Sequence, residues 1–470
     1  MEISVFIAVI MASVLIAVYS RYRHAARNAR DFFVASGQFG AILIFFLTIG
    51  ETYSIGSVLG FPAGIYTQGS GFGFWFLGYI LLSYPVGYFL NPRIWTLGQR
   101  YACITVADIF RNHYASRALE ILVVLNTALF LLPFGEMQFA GLMVVVRNLG
   151  WHIPGMVMTG LCASLTLAWI LLSGIRAPAY VSILKDVLMV AAIVMGGYAA
   201  MHAMHWPATV PEFSSPDNGG HGLPGGNAFI VSTIILQSIG LCIAPQTVAF
   251  LFTAKSPRTL QKNQIFMPLY MLMFPFLFMM ALYVRTSGAT PASPNDVFMV
   301  AVCATLPDWA RGLVAGGCAL SALVILAGVC LALGPLVSRN LMPGHSDRAQ
   351  KIGAQVTIAI YLVVSVLGGA SLSGLMVVLN NLYYIGVTQL APGIIVALLD
   401  RRVPAIPIIA GLLCGDLVGM GLFFLHIMPA GLNPGMIGLI INALVVWGGI
   451  SRVPGTACSQ PHKQISVTER

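Results

Sequence analysis

Thr48-Ile-Gly-Glu-Thr-Tyr-Ser-Ile-Gly-Ser-Val-Leu-Gly-Phe-Pro62 lies inside an apolar run, 39–66, that is long enough to cross a bilayer. Yet it carries a carboxylate (Glu51), three glycines (Gly50, Gly56, Gly60), a proline and several hydroxyls. A carboxylate at membrane depth costs roughly 3 kcal/mol on insertion scales unless it is paired, protonated or hydrated. Glycine and proline there predict a helix that breaks, and broken backbone at that depth is tolerated only where it lines a cavity in protein. The stretch thus predicts half of a binding site, with Glu51, Thr52, Tyr53 and Ser54 as its candidate residues.

The surrounding chain fits that setting. Of 470 residues, 58% are hydrophobic and 8% charged, and mean hydropathy is +0.87; soluble domains carry about 25% charged residues. One polytopic all-α domain is expected over 1–453, with a polar, disordered tail over 454–470. The N-terminus lacks a basic region and a small-residue cleavage site, so no cleaved signal peptide is expected. The eight cysteines form no CxxC and no cluster with histidine, which argues for packing rather than disulfide or metal chemistry.

Thirteen segments have the length and apolarity of membrane spans: 3–20, 39–66, 73–97, 119–147, 155–174, 180–204, 228–253, 264–287, 310–338, 354–371, 374–399, 404–426 and 431–450. Alternate connections carry 21 of the 24 lysines and arginines, Lys185 counted among them; the other set holds only Arg147, Arg285 and Arg311. Basic loops stay cytoplasmic. The N-terminus is therefore expected outside and the C-terminus inside a cytoplasmic (inner) membrane. The net charge of +9 follows from that placement and does not call for nucleic acid. The 205–227 connection, without lysine or arginine, falls outside. TVADIFRNHY (105–114) reads as an interfacial amphipathic helix with Thr105 as cap and Asp108 as its capping-box partner, or as an ordinary loop.

A second interrupted segment stands at 237–247, QSIGLCIAPQT, with Gly240 and Pro245 in an otherwise apolar span and Gln246 and Thr247 beside the break. The second and seventh segments are five apart. Paired broken helices at matching places mark inverted repeats. Two repeats of five helices are expected over about 39–204 and 228–399, with helices 1, 12 and 13 peripheral.

Several runs resemble the sodium:solute symporter family. LGFPAGIYTQG (59–69) has the family's Gly-x-Pro ending, TVADIFRNHY its segment after the third helix, and SGIRAPAYVSILKDVLM (173–189) the start of its sixth. APQTVAFLFTAKSPRTLQKN (244–263) resembles a sub-branch that includes bacterial monocarboxylate permeases. The resemblance spans nearly the whole chain. It implies a LeuT-type 5+5 inverted-repeat fold with thirteen helices and ion-coupled symport of a small organic solute, a monocarboxylate first and an amino acid or other metabolite second. It also implies a sodium site between carbonyls of the broken second helix and a hydroxyl pair on the ninth. That pair falls at Val324 and Ile325, where no hydroxyl stands, while Glu51 falls near a carbonyl-donating position. Where the family often has an acidic residue, this chain has Ser182, with Lys185 and Asp186 following. The coupling ion is therefore read as Na+ held near Glu51 or as H+; no other cofactor or metal is expected.

Glu51 has three readings: proton carrier, anionic sodium ligand, or structural acceptor for amides freed by the break. Lys185 reads as a cation for Glu51 or as a side chain snorkelling to the cytoplasm. Glu136, mid-span in the fourth helix, reads as a solute or ion contact or as a buried hydrogen-bonded group; Gln138 matches a family residue. Asp416 is structural or interfacial. Asn380, Asn381, Tyr383, Tyr384, Thr388 and Gln389 form a polar band in helix 11, with Asn381 and Tyr384 as binding candidates. No HExxH, GxSxG or Walker sequence supports an enzyme. A channel or a membrane sensor on the same fold is the remaining alternative, and no output domain follows the last helix.

Overall fold

The computed structural model describes residues 1–23, 28–151, 153–205, 226–342, 346–371, 376–401 and 403–451. Most of the 205–227 connection and the 454–470 tail lie outside the described residues. The elements are all helical: α1 (Glu2–Arg23), α2 (Ala29–Val34), α3 (Ala41–Thr52), α4 (Ile55–Gln68), α5 (Ser70–Arg100), α6 (Val106–Tyr114) and α7 (Arg117–Asn148). There follow α8 (Gly155–Ser173), α9 (Arg176–Ala203), α10 (Gly226–Ile243), α11 (Pro245–Thr253), α12 (Pro257–Phe266), α13 (Phe274–Thr286) and α14 (Val297–Thr305). The chain continues through α15 (Asp308–Asn340), α16 (Asp347–Ser371), α17 (Met376–Val387), α18 (Ala391–Leu398) and α19 (Ala405–Phe424) to α20 (Pro434–Ser451).

Among the described residues, eleven helices are long and apolar enough to span a membrane, or twelve with the bent pair α3–α4. The expected count of thirteen is not reached on that measure. Its last segment corresponds to the shorter apolar helix α20.

The centre of the packing is α15, whose 33 residues are nearly all buried. At 1.5 Å per residue it runs about 50 Å. It reads as apolar on every face because it meets α1, α7, α9, α11 and α16 around its circumference. By contrast α1 and α19 are largely exposed, as the outermost helices of a bundle facing lipid would be.

Both expected breaks are present. The second span stops at Thr52, passes through Tyr53 (φ −108°, ψ 58°) and the extended Ser54, and resumes at Ile55 with a bend of 46°. Ser54 caps the new helix by accepting from the Ser57 amide at 3.1 Å. Pro62, expected to mark the break, sits inside α4 without ending it. The seventh span breaks at the extended Ala244, and Pro245 opens α11 at the helical position where a missing N–H costs nothing. Gly240 lies within α10; a methyl built there would collide with Thr388 Oγ1, so this glycine serves close packing.

Two contacts tie the broken spans to each other and to the rest. Phe39, ahead of α3, bridges in parallel to Ala254, after α11: its amide donates to the Thr253 carbonyl at 2.9 Å and its carbonyl accepts from Lys255 at 3.0 Å. The turn before α9 needs Gly174, with φ +58° and a would-be methyl that collides with the Phe32 carbonyl oxygen of α2.

The expected helix over 105–114 is α6, with both capping-box bonds formed. Its apolar face packs on α7, α15 and α18.

Candidate functional site

The break of the second span is where α3, α4, α9 and α15 converge. A helix end leaves its last carbonyls without intrahelical donors. Beyond it, the Tyr53 carbonyl accepts from Ser321 Oγ of α15 at 2.7 Å. The Tyr53 phenol donates to the Tyr270 carbonyl, and its ring lies 5.3 Å from that of Tyr270 and 5.5 Å from that of Phe274. Ser54 faces Ser57, their hydroxyl oxygens 3.2 Å apart. The side chains of Glu51 and Thr52, two of the four residues expected here, lie outside the described residues.

Ser321 also locates the ninth span against the break. Val324 and Ile325 follow it by three and four residues, hence on the same face one turn along. Both are buried. The missing hydroxyl pair is thus missing from the surface that meets the break.

Lys185 reaches this place from α9. That helix begins at Arg176, whose guanidinium donates to Asp31 at 2.7 Å and to Gln38 at 3.1 Å. Nine residues on, about 13.5 Å along the axis, Lys185 is fully buried and forms an ion pair with the equally buried Asp186. A methyl built on Gly50, in the last turn of α3, would sit 3.2 Å from Lys185 Nζ. The side chain therefore turns inward to the break; it does not snorkel, and Lys185 does not belong with the loop charges among which the sequence placed it.

The seventh-span break gathers a second polar group. Gln246, in the first turn of α11, donates through Nε2 to the Tyr383 hydroxyl of α17 at 2.6 Å. Tyr383 stacks on Phe134 of α7 with centroids 4.7 Å apart and meets Tyr384 edge-on at 4.8 Å. Gln237 of α10 donates to Asn381 Oδ1 at 2.7 Å. Gln138 is buried and donates only weakly within its own helix, to Phe134 O at 3.3 Å. The Oε1 atoms of Gln138, Gln237 and Gln246 have no hydrogen-bond partner among the described residues. Unsatisfied buried acceptors are uncommon, and each calls for an explanation. Thr247 lines a cavity of about 30 Å³ together with Thr48 of α3, room for about one water.

Glu136 stands apart from both groups. Two residues from Phe134, it points to the other side of α7, where a methyl built on Gly368 of α16 would collide with its Oε1. Asp416 accepts from Asn126 Nδ2 at 2.6 Å, joining α19 to α7. A cavity of about 220 Å³ opens at the start of α5, the end remote from α6. Gln68, Trp75, Asn381, His426 and Asn433 are among the residues around it.

Sequence reasoning missed a pair of matching clasps. On the α6 face, Asp108 accepts from Asn340 Nδ2 at 2.8 Å, with Arg339 Nε 3.7 Å away. On the opposite face Asp296, ahead of α14, accepts from Asn148 Nδ2 at 2.7 Å and from Arg147 at 2.5 Å. Each aspartate closes a capping box, Thr105 with Asp108 and Ser293 with Asp296. Each partner is an Arg-Asn-Leu at the end of a long helix, 147–149 and 339–341. That repeated tripeptide, together with Ser/Thr-x-x-Asp, was the available signal.

A model of the sodium:solute symporter family matches residues 32–368. A monocarboxylate transport permease protein of Rhizobium johnstonii is 26% identical over 446 residues, covering 90% of this chain and 88% of that one. The uncharacterized symporter YhjB of Bacillus subtilis is 25% identical over 448 residues, covering 89% and 90%. Among solved structures, a Na+-coupled sialic acid symporter in a substrate-bound outward-open state superposes with a TM-score of 0.72 at 14% identity, covering 96% of both chains. The nucleobase-cation-symport-1 transporter Mhp1, closed with bromovinylhydantoin bound, gives 0.59 at 11% identity, covering 92% and 96%. At such identities the likeness is one of fold, that of LeuT-like symporters. With a match over most of its length, the chain belongs to the sodium:solute symporter family.

Proposed function

We propose that this symporter carries a small monocarboxylate, with a proton as the coupling ion, by alternating access around the two helix breaks. The observation that carries the solute reading is the Gln246–Tyr383 pair at the start of α11. The first turn of a helix presents free amides and a partial positive charge, the setting for a small carboxylate. No lysine or arginine occurs in α10, α11 or α17, so amides, the Gln246 side chain and the Tyr383 phenol would supply the donors. The name of the Rhizobium relative points to the same solute class.

The reciprocal clasps support inverted repeats over 39–204 and 228–399, because α6 precedes α7 as α14 precedes α15, on opposite faces. In this reading the α6 face is cytoplasmic, the N-terminus is outside, and the membrane is the inner one. Glu51, Thr52, Tyr53 and Ser54 form one wall of the site, and Gln138, Gln246, Thr247, Asn381 and Tyr384 the other. Glu136, on the α16 side of α7, falls outside both walls. Coupling falls to Glu51, Lys185 and Asp186.

Uptake by proteoliposomes, above protein-free vesicles, across a panel of short monocarboxylates and amino acids tests the solute. Monocarboxylates are expected to compete with one another and amino acids to have no effect; amino-acid uptake alone would overturn the reading. Gln246→Ala removes one buried hydrogen bond to the solute and is expected to raise KM about tenfold with kcat nearly kept. An unchanged KM would take Gln246 out of the site. Glu51→Gln is expected to lower uptake driven by an ion gradient about tenfold; full gradient-driven uptake would leave Glu51 with a structural role only.

A further inference from the structure

We propose that the Lys185 ammonium is a built-in cation at the break of the second span, and that the Lys185–Asp186 pair takes up the coupling charge as a proton where a sodium ion would otherwise bind. This rests on the symport reading above and narrows it to the ion.

Three observations converge. The ammonium lies against Gly50, in the final turn of α3. The C-terminal end of a helix carries roughly half a negative charge and carbonyls without intrahelical donors, so it favours a cation. Lys185 brings its charge to that end of the helix from within the protein.

The wall across the break is poor in oxygen. A hard cation is held by several oxygen ligands. On the face of α15 that meets the break, Ser321 spends its hydroxyl proton on the Tyr53 carbonyl, and the next turn offers Val324 and Ile325. An ammonium needs fewer acceptors than a metal ion, and it brings its own carboxylate.

The pair itself is built at a cost. Both side chains are 0% exposed, and apart from each other neither has a hydrogen-bond partner among the described residues. A buried ion pair that serves only stability needs further hydrogen bonds to offset its desolvation. Ionisable groups at membrane depth without that support mark ion pathways.

The charge balance matches the role. Lys185 ammonium and Asp186 carboxylate together carry no net charge. A proton arriving from one side forms an O–H bond on the Asp186 carboxylate. The pair becomes a neutral acid beside an ammonium, with net charge +1, the same change a sodium ion would bring. The ammonium, released from its carboxylate, turns wholly to the α3 carbonyls and holds the break. Loss of the Asp186 proton to the other side restores the pair.

Few other groups can titrate here. Glu51 belongs to α3, with its side chain outside the described residues. Tyr53 and Tyr270 stand within electrostatic reach of Asp186, and Tyr84 within reach of Tyr53. From α15 only Cys318 and Cys330 lie between Arg311 and Arg339, and α8 and α14 bring only Cys162 and Cys303. The charges of α1 (Glu2, Arg21, Arg23) and α13 (Arg285) lie near helix ends.

The first arm of the test is independent of which solute is carried. Sodium chloride added to the purified protein is expected to leave its thermal midpoint where choline chloride leaves it; stabilisation by sodium alone would overturn the proposal. In proteoliposomes, an inside-alkaline pH gradient in sodium-free medium is expected to drive lactate or pyruvate uptake above protein-free vesicles, and a sodium gradient at equal pH to drive none. Sodium-driven uptake would overturn it. The neutral pair Lys185→Met with Asp186→Asn keeps the volume while removing both charges. For it, the ratio of uptake with the pH gradient to uptake without it is expected to fall to about one. A ratio as high as in the wild type would place the proton elsewhere and overturn the proposal. If no acid moves under either gradient, the solute reading fails, while the sodium-stabilisation result still decides the ion.

Discussion

Arg117→Ala is expected to lose about 3 kcal/mol of stability, the low end for breaking a buried ion pair, and to unfold at a clearly lower temperature in detergent. Glu120 beside it is fully buried and takes three donors: Arg117 at 2.6 Å, Asn340 Nδ2 at 2.7 Å and Arg111 at 3.3 Å. Arg117 also caps the end of α15 by donating to the carbonyls of Asn340 and Leu341. Removing it leaves a carboxylate in the interior with its weaker guanidinium partner and frees two helix-end carbonyls. The low end of the range applies because Arg111 remains and water reaches the half-exposed rim. Arg100→Ala is the control. Its pair with Asp400 is exposed on both sides, 49% and 62%, and such pairs contribute under about 1 kcal/mol. Thermal midpoints of the two variants, measured side by side, decide the matter: equal shifts would mean that the Glu120 network does not hold this face together.

The broken spans were legible because their residues are wrong for an uninterrupted helix at that depth. Their exact places were only half legible. Pro245 fixed one, since a proline at the first helical position has no amide to lose. Gly50, Gly56, Gly60 and Pro62 pointed to the other without placing it at Tyr53–Ser54, because that break is stabilised from another helix, through Ser321 Oγ. No local pattern in 48–62 contains that partner.

Lys185 shows the opposite limit. Read by loop charge it joins the basic side of the membrane, and read by span it lies five residues inside the sixth segment. Only the approach of α3 to α9 at Gly50 decides between them. The Arg-Asn-Leu repeat was in plain sight at 147–149 and 339–341. Arginines at span ends already had an explanation in membrane topology, which hid their pairing with Asp296 and Asp108. Glu136 and Gln138 both stood as binding candidates in sequence, and the two-residue spacing from Phe134 turns Glu136 to α16.

The two clasps make the proposed repeats testable one face at a time. Asn340 Nδ2 bonds Asp108 on the α6 face, and Asn148 Nδ2 bonds Asp296 ahead of α14. Each amide removal leaves a nearly buried carboxylate one donor short, at a net cost of about 1.5–3 kcal/mol for a bond to a charged group. Asn340 also serves Thr105 and Glu120, so its loss falls at the upper end and that of Asn148 at the lower. Local opening then becomes more frequent by the same free energy, roughly tenfold or more in amide exchange. Asn340→Ala is expected to speed exchange in 104–114 and leave 293–305 as in the wild type. Asn148→Ala is expected to do the reverse. Loosening of both segments by either variant would mean that the faces open as one unit, and that the clasps do not hold the two repeats separately.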